Sequence, residues 1–279
     1  MKLTTYIFLF FVLFSCQTKT AQQTENKDSI VTKEEIIEPI EEVITFGFSS
    51  EKLNKVLAFE ENTNPALFTQ AIDDKGNVTP IKFIKTQKGN EGGVNQTSQN
   101  FDNCAGQVFE ISENKKFKSE LSTIILNDEF VKNNVLVAVK KLEKPQKIDE
   151  KIKQQIATER KRSIKSAWKI ADIDNQSAYI VEFTPKKDSV LASLIVGDNQ
   201  FIYRDYPAIY DAGSTWRVDD GGEFPNDAIA ILAAFRNKKG NLELVTEWAG
   251  AEGAKIEFIK ANKNIFEIIK EASRYWGAY

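Results

Sequence analysis

Apolar and polar residues alternate with a period of two over much of the second half of the chain. The alternation runs through 164–170, stops at the turn pair Asp174-Asn175 and resumes at 179–183. This period is typical of strands with one buried face. Three antiparallel hairpins are predicted on this basis, with turns at 174–175, 197–199 and 237–240.

Two segments show the spacing of a helix instead. Isoleucines four residues apart predict a central helix over 146–162, and an apolar stripe predicts a closing helix over 263–276. The stripe of the closing segment consists of Ile265, Ile268, Ile269 and Ala272. The predicted fold class is therefore α+β, an antiparallel β-meander packed against a central and a C-terminal helix.

The first half of the body carries shorter apolar, β-favouring runs between turn sequences, at 81–85, 107–111 and 135–139. We expect residues 46–279 to form a single globular α+β domain, with a subdomain break near residue 145. Its length is sufficient for one substantial hydrophobic core.

The N-terminus has the three parts of a signal peptide. Lys2 is followed by nine apolar residues at 6–14 and by Ser15. This run is too short to span a bilayer, which needs about 20 residues. Residues 1–15 are therefore predicted to be a cleaved signal peptide.

The residues around the expected cleavage point are Leu13-Phe14-Ser15-Cys16. They resemble the lipobox of bacterial lipoproteins, and the resemblance implies that an acylated Cys16 becomes the first residue of the mature chain. It also implies attachment to a lipid bilayer, the outer membrane of a Gram-negative bacterium, without a membrane-spanning helix. Residues 17–20 lack the acidic run of surface-exported lipoproteins, so we expect the body to face the periplasm.

Residues 16–45 are predicted to be a disordered, acidic tether between the lipid and the body. Seven acids and three bases lie within 17–42, and such polar, charged composition disfavours a packed core. With Cys16 lipidated, Cys104 has no partner for an internal disulfide. No basic residue is near it in sequence, so we expect a buried, unreactive thiol.

The chain contains no histidine. A Ser-His-Asp triad, a Cys-His dyad and a histidine-ligated metal site are therefore excluded within this chain. The body carries as many acids as bases and no nucleic-acid-reading motif, which argues against a nucleic-acid partner. Of the common hydrolytic chemistries, the one that remains uses paired carboxylates.

Charge is unevenly distributed along the body. Residues 140–165 carry ten bases and four acids, whereas residues 171–223 carry ten acids and four bases. Two interpretations remain open. Either the basic segment packs beside the acidic strands, or it presents a basic face to anionic lipid or to a partner.

Residues 203–225 form the candidate site, because a long stretch rich in Tyr, Trp, Asp and Gly between two strands is where binding residues concentrate. One interpretation is recognition without chemistry, using residue types that dominate interface hot spots. The residues expected to bind a ligand are Tyr206, Tyr210, Trp216, Arg217, Asp219 and Asp220. In the alternative interpretation these aromatic side chains have a purely structural role and only hold the loop against the core.

A catalytic interpretation uses the carboxylates of the same stretch and of the 250–253 turn, with Trp216 and Trp248 as sugar platforms. Its candidate residues are Asp219, Asp220, Glu223 and Glu252. A metal interpretation uses Asp211 with the acids at 219–223, but the spacing of an EF-hand is absent. We therefore expect no metal and no cofactor.

Taken together, the sequence predicts a membrane-anchored periplasmic lipoprotein that binds a protein or glycan partner, or helps to assemble the envelope, through residues 203–225. The alternative is a carboxylate-dependent hydrolase acting on a glycan-type substrate. The two differ in one geometric respect: a hydrolase needs two carboxyl groups facing each other across an open cleft.

Overall fold

The computed structural model describes residues 43–73, 76–111, 117 and 121–277. The signal peptide, Cys16 and all but the last residues of the expected tether lie outside this range. Residues 41–279 form one compact unit, which contains two β-sheets. No helix among the described residues is long and apolar enough to cross a membrane.

The first sheet is a small closed barrel of six antiparallel strands. The strands are β1 (Ile44–Ser49), β2 (Lys55–Ala58), β3 (Phe68–Ile72), β4 (Val78–Gln87), β5 (Gly106–Ile111) and β6 (Thr123–Asn127). Their spatial order is β1-β2-β5-β4-β3-β6, and β6 returns to β1. Phe109 and Ile125 lie at its centre without exposed surface. Closure removes both sheet edges, which would otherwise offer unpaired backbone groups.

The second sheet has ten strands. They are β7 (Asn134–Val137), β8 (Val139–Lys147), β9 (Ile164–Ile173), β10 (Gln176–Phe183), β11 (Ser189–Val196), β12 (Ile202–Ile209), β13 (Ile229–Asn237), β14 (Leu242–Ala249), β15 (Gly253–Asn262) and β16 (Ile265–Tyr275). Their order is β7-β13-β14-β15-β16-β12-β11-β10-β9-β8. Neighbours are antiparallel except β12 and β16, which meet in parallel at a single pair, Tyr203 and Ile265.

The large sheet curls over its own apolar face. Its two edge strands, β7 and β8, are consecutive in sequence and separated only by Ala138. Side chains from β10 and β11, such as Ile180 and Leu194, pack in one core with Leu244 of β14 and Ile259 of β15. The interior of this curled sheet is therefore the main hydrophobic core, and the loop after β12 closes one end of it.

Two α-helices accompany the sheets within the described residues. The first, α1 (Asp128–Asn133), begins where the Asn127 side chain accepts the Phe130 N–H. The second, α2 (Glu150–Arg160), begins at Asp149, whose carboxylate accepts the Lys151 N–H, as expected of an N-cap. Ile156 of α2 is fully buried against Tyr179 and Phe183, on the outer face of β10.

The expected α+β fold class is wrong, because the described chain is mainly strand. A helix is present at Glu150–Arg160, and it begins after Lys147 because Gln146 and Lys147 pair with β9. The closing segment, however, is the strand β16 and not a helix. The three predicted hairpins are present as β9–β10, β11–β12 and β13–β14.

A β-bulge explains the false helical pattern of the closing segment. Phe258 pairs with Lys270 and Ile259 pairs with Ile268, which leaves Ile269 as an extra residue. At a bulge the strict alternation of faces is broken. Both Ile268 and Ile269 are about half exposed. The residues that predicted an apolar helical stripe therefore lie on a bulged strand, in which Ile265, Ile268 and Ile269 are exposed and Ala272 is buried.

Candidate functional site

Residues 203–225 comprise most of β12 and most of the long connection to β13. The residues of β12 alternate in direction: Arg204 and Tyr206 join the aromatic and charged groups of the sheet interior. Asp205 instead binds Arg160 of α2 and the Ser193 hydroxyl. The loop therefore follows a strand that packs into the sheet interior with one face and binds α2 with the other.

Asp220 organises the loop through four backbone hydrogen bonds. Its Oδ1 accepts the N–H groups of Thr215 and Gly222 at 3.0 and 2.9 Å. Its Oδ2 accepts those of Trp216 and Arg217 at 2.5 and 2.9 Å. Charge-assisted bonds of this kind are the strong ones, and they leave the carboxylate fully occupied with the loop backbone.

The same contacts set the protonation state of Asp220. Burial alone would raise its pKa, but the four N–H donors outweigh this effect and lower the pKa to about 2. Asp211 is similarly engaged, since its Oδ1 accepts the Gly213 and Ser214 N–H groups, which lowers its pKa. A general acid needs a raised pKa, so both carboxylates have the properties of structural anions.

The other acidic candidates contribute through their backbones. Asp219 is exposed and has a left-handed backbone, with φ at 60°. Glu223 is exposed, and its N–H donates to the Asp220 carbonyl. Glu252 lies in the β14–β15 turn, where its carbonyl accepts the N–H groups of Trp276 and Gly277. Within the residues that the structure describes, no group of three or more acidic or cysteine side chains could hold a metal ion.

Four aromatic rings form a cluster beneath the loop. Tyr206 lies 5.1 Å from Trp248 and 5.5 Å from Phe224, between ring centroids. Phe224 also contacts Trp216 and Trp248, each at 5.3 Å. The Trp216 indole N–H donates to the Tyr206 carbonyl at 2.8 Å. Tyr206 and Trp216 thus anchor the loop to the core, as the interpretation with a purely structural role for these aromatic side chains expected.

The outer side of the loop exposes large apolar side chains. Tyr210 is 51% exposed and Val218 is 65% exposed, while Ile209 at the entrance is 72% exposed. The Tyr210 ring lies against Gly222, where an added Cβ would be 2.7 Å from ring atom Cε2. Arg217 donates to the Ala249 carbonyl and its guanidinium lies 6.0 Å from the Trp248 ring centroid.

Sequence reasoning missed an ionic cluster next to these rings, in which Glu257 is buried and Lys255 and Glu271 are partly exposed. Arg204 binds Glu257 through two hydrogen bonds of 2.9 and 2.7 Å, and its guanidinium lies 4.8 Å from the Tyr206 ring centroid. Lys255 bridges Glu257 and Glu271 at 3.3 and 2.8 Å. Burial would raise the pKa of Glu257, but Arg204 and Lys255 outweigh it and lower the pKa. The only sequence signal was charge at inward positions of β15.

The uneven charge along the chain is partly neutralised by pairing across it. Arg160 binds Asp205, and Lys165 binds Glu182 at 2.8 Å. Each pair joins the basic segment to the acidic strands, as the simpler interpretation expected.

Cys104 is buried, with 1% of its surface exposed, and is not in a disulfide. Burial raises the pKa of its thiol, although the charge of Arg274 acts in the opposite direction. Its Sγ donates to the Asn95 carbonyl at 3.3 Å. These are the properties of an unreactive thiol.

In comparisons with known proteins, the chain matched no family model, no curated protein and no solved structure.

Proposed function

We propose that the protein is a lipid-anchored periplasmic lipoprotein that binds an envelope protein through the outer side of the loop at 209–222. The lipid anchor is the acylated Cys16, and the body reaches its partner from the end of the acidic tether. The observation that carries the proposal is the contrast between the two sides of the loop.

The polar groups of the loop are used to hold its own shape. Asp220 and Asp211 together accept six backbone N–H groups. The large apolar side chains of Ile209, Tyr210 and Val218 are left at the surface, next to the exposed Asp219. A loop that is already fixed loses little conformational entropy on binding, and exposed apolar side chains on such a loop are suited to a protein partner.

Site-specific photo-crosslinking in intact cells tests this proposal. A photoreactive phenylalanine at Tyr210 or Val218 should crosslink to the same envelope protein. The matched control is Val135 of β7, which is 69% exposed but lies on a different part of the sheet. The Val218→Asp variant should abolish the crosslink from Tyr210, whereas Val135→Asp should leave it unchanged. Equal crosslinking from Val135 and Val218, or none from the loop, would overturn the proposal.

The anchor is tested separately by metabolic labelling with an alkyne fatty acid. The wild-type chain should incorporate the label and fractionate with the outer membrane, and Cys16→Ser should remove both properties. A label retained by Cys16→Ser would place the acylation on another residue, and a wild-type chain without label would exclude the anchor.

A further inference from the structure

Three polar side chains meet near the turn of the β13–β14 hairpin. They belong to Asn237 of β13, Glu243 of β14 and Lys260 of β15. Glu243 is paired with Lys260 on one side and with Phe235 on the other. Phe235 packs with Phe46 of the small barrel, so the three side chains lie on the barrel-facing side of the large sheet, where the Glu243 side chain is only 4% exposed.

One oxygen of Glu243 contacts both of the other side chains. Its Oε1 accepts the side-chain N–H of Asn237 at 2.8 Å and lies 3.1 Å from the Nζ of Lys260. An amine and an amide are therefore held together on a single buried carboxylate oxygen. A carboxylate in this position can take a proton from the amine and give one to the amide nitrogen.

The carbonyl group of the same amide is held by the hairpin turn. Asn237 Oδ1 accepts the backbone N–H groups of Lys239 and Asn241 at 3.0 and 3.1 Å. These donors fix the orientation of the amide, because its oxygen accepts hydrogen bonds and its NH₂ group does not. Two N–H groups at this distance would stabilise the negative charge that a carbonyl oxygen gains when a nucleophile attacks its carbon, as in an oxyanion hole.

Lys260 has its amine close to this amide and also has access to solvent. Glu267 of β16 pairs with Lys260 in the sheet, but its carboxylate accepts the Asn262 side-chain N–H at 2.7 Å. Glu243 is therefore the carboxylate placed to take a proton from Lys260. The Lys260 side chain is 41% exposed, so a small product formed beside it can leave to solvent.

We propose that Lys260 and Asn237 form an intramolecular isopeptide bond, with Glu243 as the catalytic residue. The Lys260 ammonium gives a proton to Glu243, and the resulting amine attacks Cγ of Asn237 while the carbonyl electron pair moves to Oδ1. Glu243 then protonates Nδ2 and accepts the second proton of the attacking nitrogen. The electron pair returns to re-form the carbonyl, and the bond from Cγ to Nδ2 breaks. The leaving ammonia takes the proton from Glu243, so one ammonium ion departs and Glu243 is again a carboxylate.

The bond joins the end of β13 to β15 across β14 and closes a covalent loop of residues 237–260. Holding the two groups on one carboxylate makes the reaction intramolecular, which favours it strongly. A cross-link of this kind restricts the unfolded chain in the way a disulfide does. The inference goes beyond the protein-binding loop and does not depend on it, because none of the three residues lies within 209–222.

Tryptic peptide mapping of the full chain in detergent, read by mass spectrometry, tests the proposal. Trypsin does not cleave after a modified lysine, so peptides 237–238 and 256–263 should appear as one branched species. Its mass should be the sum of the two peptides less one ammonia molecule. Cleavage after Lys260 in most of the chain, with release of an unmodified 256–260 peptide, would show an ion pair only and overturn the proposal.

Three variants assign the roles, and a cooperative urea transition shows that each is folded. Lys260→Arg keeps the positive charge but removes the nucleophile, so the branched species should disappear. Glu243→Gln keeps the side-chain size but removes the proton carrier, and the branched fraction should fall to about a tenth or less.

Lys255→Arg is the matched control, because Lys255 lies on the same strand and also binds carboxylates, those of Glu257 and Glu271. This variant should keep the branched species at the wild-type level. A branched species that persists in Lys260→Arg would overturn the assigned bond, and one at wild-type yield in Glu243→Gln would overturn the role of Glu243. None of these results bears on crosslinking from Tyr210, so the two proposals fail independently.

Discussion

The replacement of Asp220 by asparagine should release the loop at 210–222. Each oxygen of the Asp220 carboxylate accepts two backbone N–H groups. The asparagine amide has one oxygen, so two N–H groups would face an NH₂ group instead of an acceptor. The change keeps the size and shape of the side chain, which makes it a specific test of the hydrogen bonding.

The magnitude follows from the pKa of Asp220. Its fall from the ordinary 3.8 to about 2 corresponds to about 2.4 kcal/mol at 1.36 kcal/mol per unit. Solvent around this surface loop screens the interaction, so we take about 1.5 kcal/mol, the lower end of the range for hydrogen bonds to a charged group. This is a tenfold change in the population of the open loop.

Limited trypsin digestion measures this population. Cleavage after Arg217 requires local opening, and its rate follows the open fraction when opening and closing are fast. We expect cleavage after Arg217 to be about tenfold faster in Asp220→Asn, and within twofold of wild type in Asp219→Asn. Equal rates in Asp220→Asn and wild type would refute the assignment of Asp220 as the organiser of the loop.

The contribution of Asp220 to the stability of the loop should depend on pH. Because the folded pKa of Asp220 lies below its unfolded value, its contribution is complete above about pH 4 and is lost as the pH falls towards 2. Amide exchange at Trp216 and Arg217, corrected for intrinsic rates, should therefore lose protection between pH 4 and pH 2. In Asp220→Asn this acid-dependent loss should be absent.

Two further predictions concern the small barrel and its neighbourhood. Gly47→Ala should lower the free energy of unfolding by about 2 to 4 kcal/mol, because its Cβ would lie 2.3 Å from the Leu57 carbonyl oxygen on the paired strand. In the control variant Gly250→Ala, the added Cβ would lie 3.5 Å from its nearest neighbour, so the free energy of unfolding measured in urea should change little. Equal losses of stability in the two variants would contradict the reasoning. In a Cys16→Ser chain, the Cys104 thiol should react with a disulfide reagent only at urea concentrations that unfold the chain. Rapid stoichiometric labelling of the native chain would contradict the burial of this thiol.

The hairpins of the large sheet were predictable because each turn is short and its strands are adjacent in sequence. The strand β16 was not, because the bulge at Ile269 reproduces helical spacing. Periodicity reports which residues share a face, and both a helix and a bulged strand can place residues three and four apart together. The closing of the small barrel depends on pairs such as Ile44 with Leu126, which no local pattern indicates.

The sequence located the candidate site, but it did not show which of its side chains turn inward and which are exposed. Sequence composition indicated a loop rich in Tyr, Trp and Asp, but side-chain direction separates its residues. Tyr206 and Trp216 turn inward, whereas Tyr210 remains half exposed. The partnership of Arg204 with Glu257, 53 positions later, is a tertiary contact that only the curled sheet creates.

The single residue between β7 and β8 has a consequence for the order of folding. β8 pairs with β9 a short distance along the chain, whereas β7 must wait for β13, about a hundred positions later. Contacts of such long sequence separation form slowly. As the chain is synthesised from its N-terminus, β7 therefore emerges long before its partner, and the large sheet can be completed only after residues 229–237 have followed.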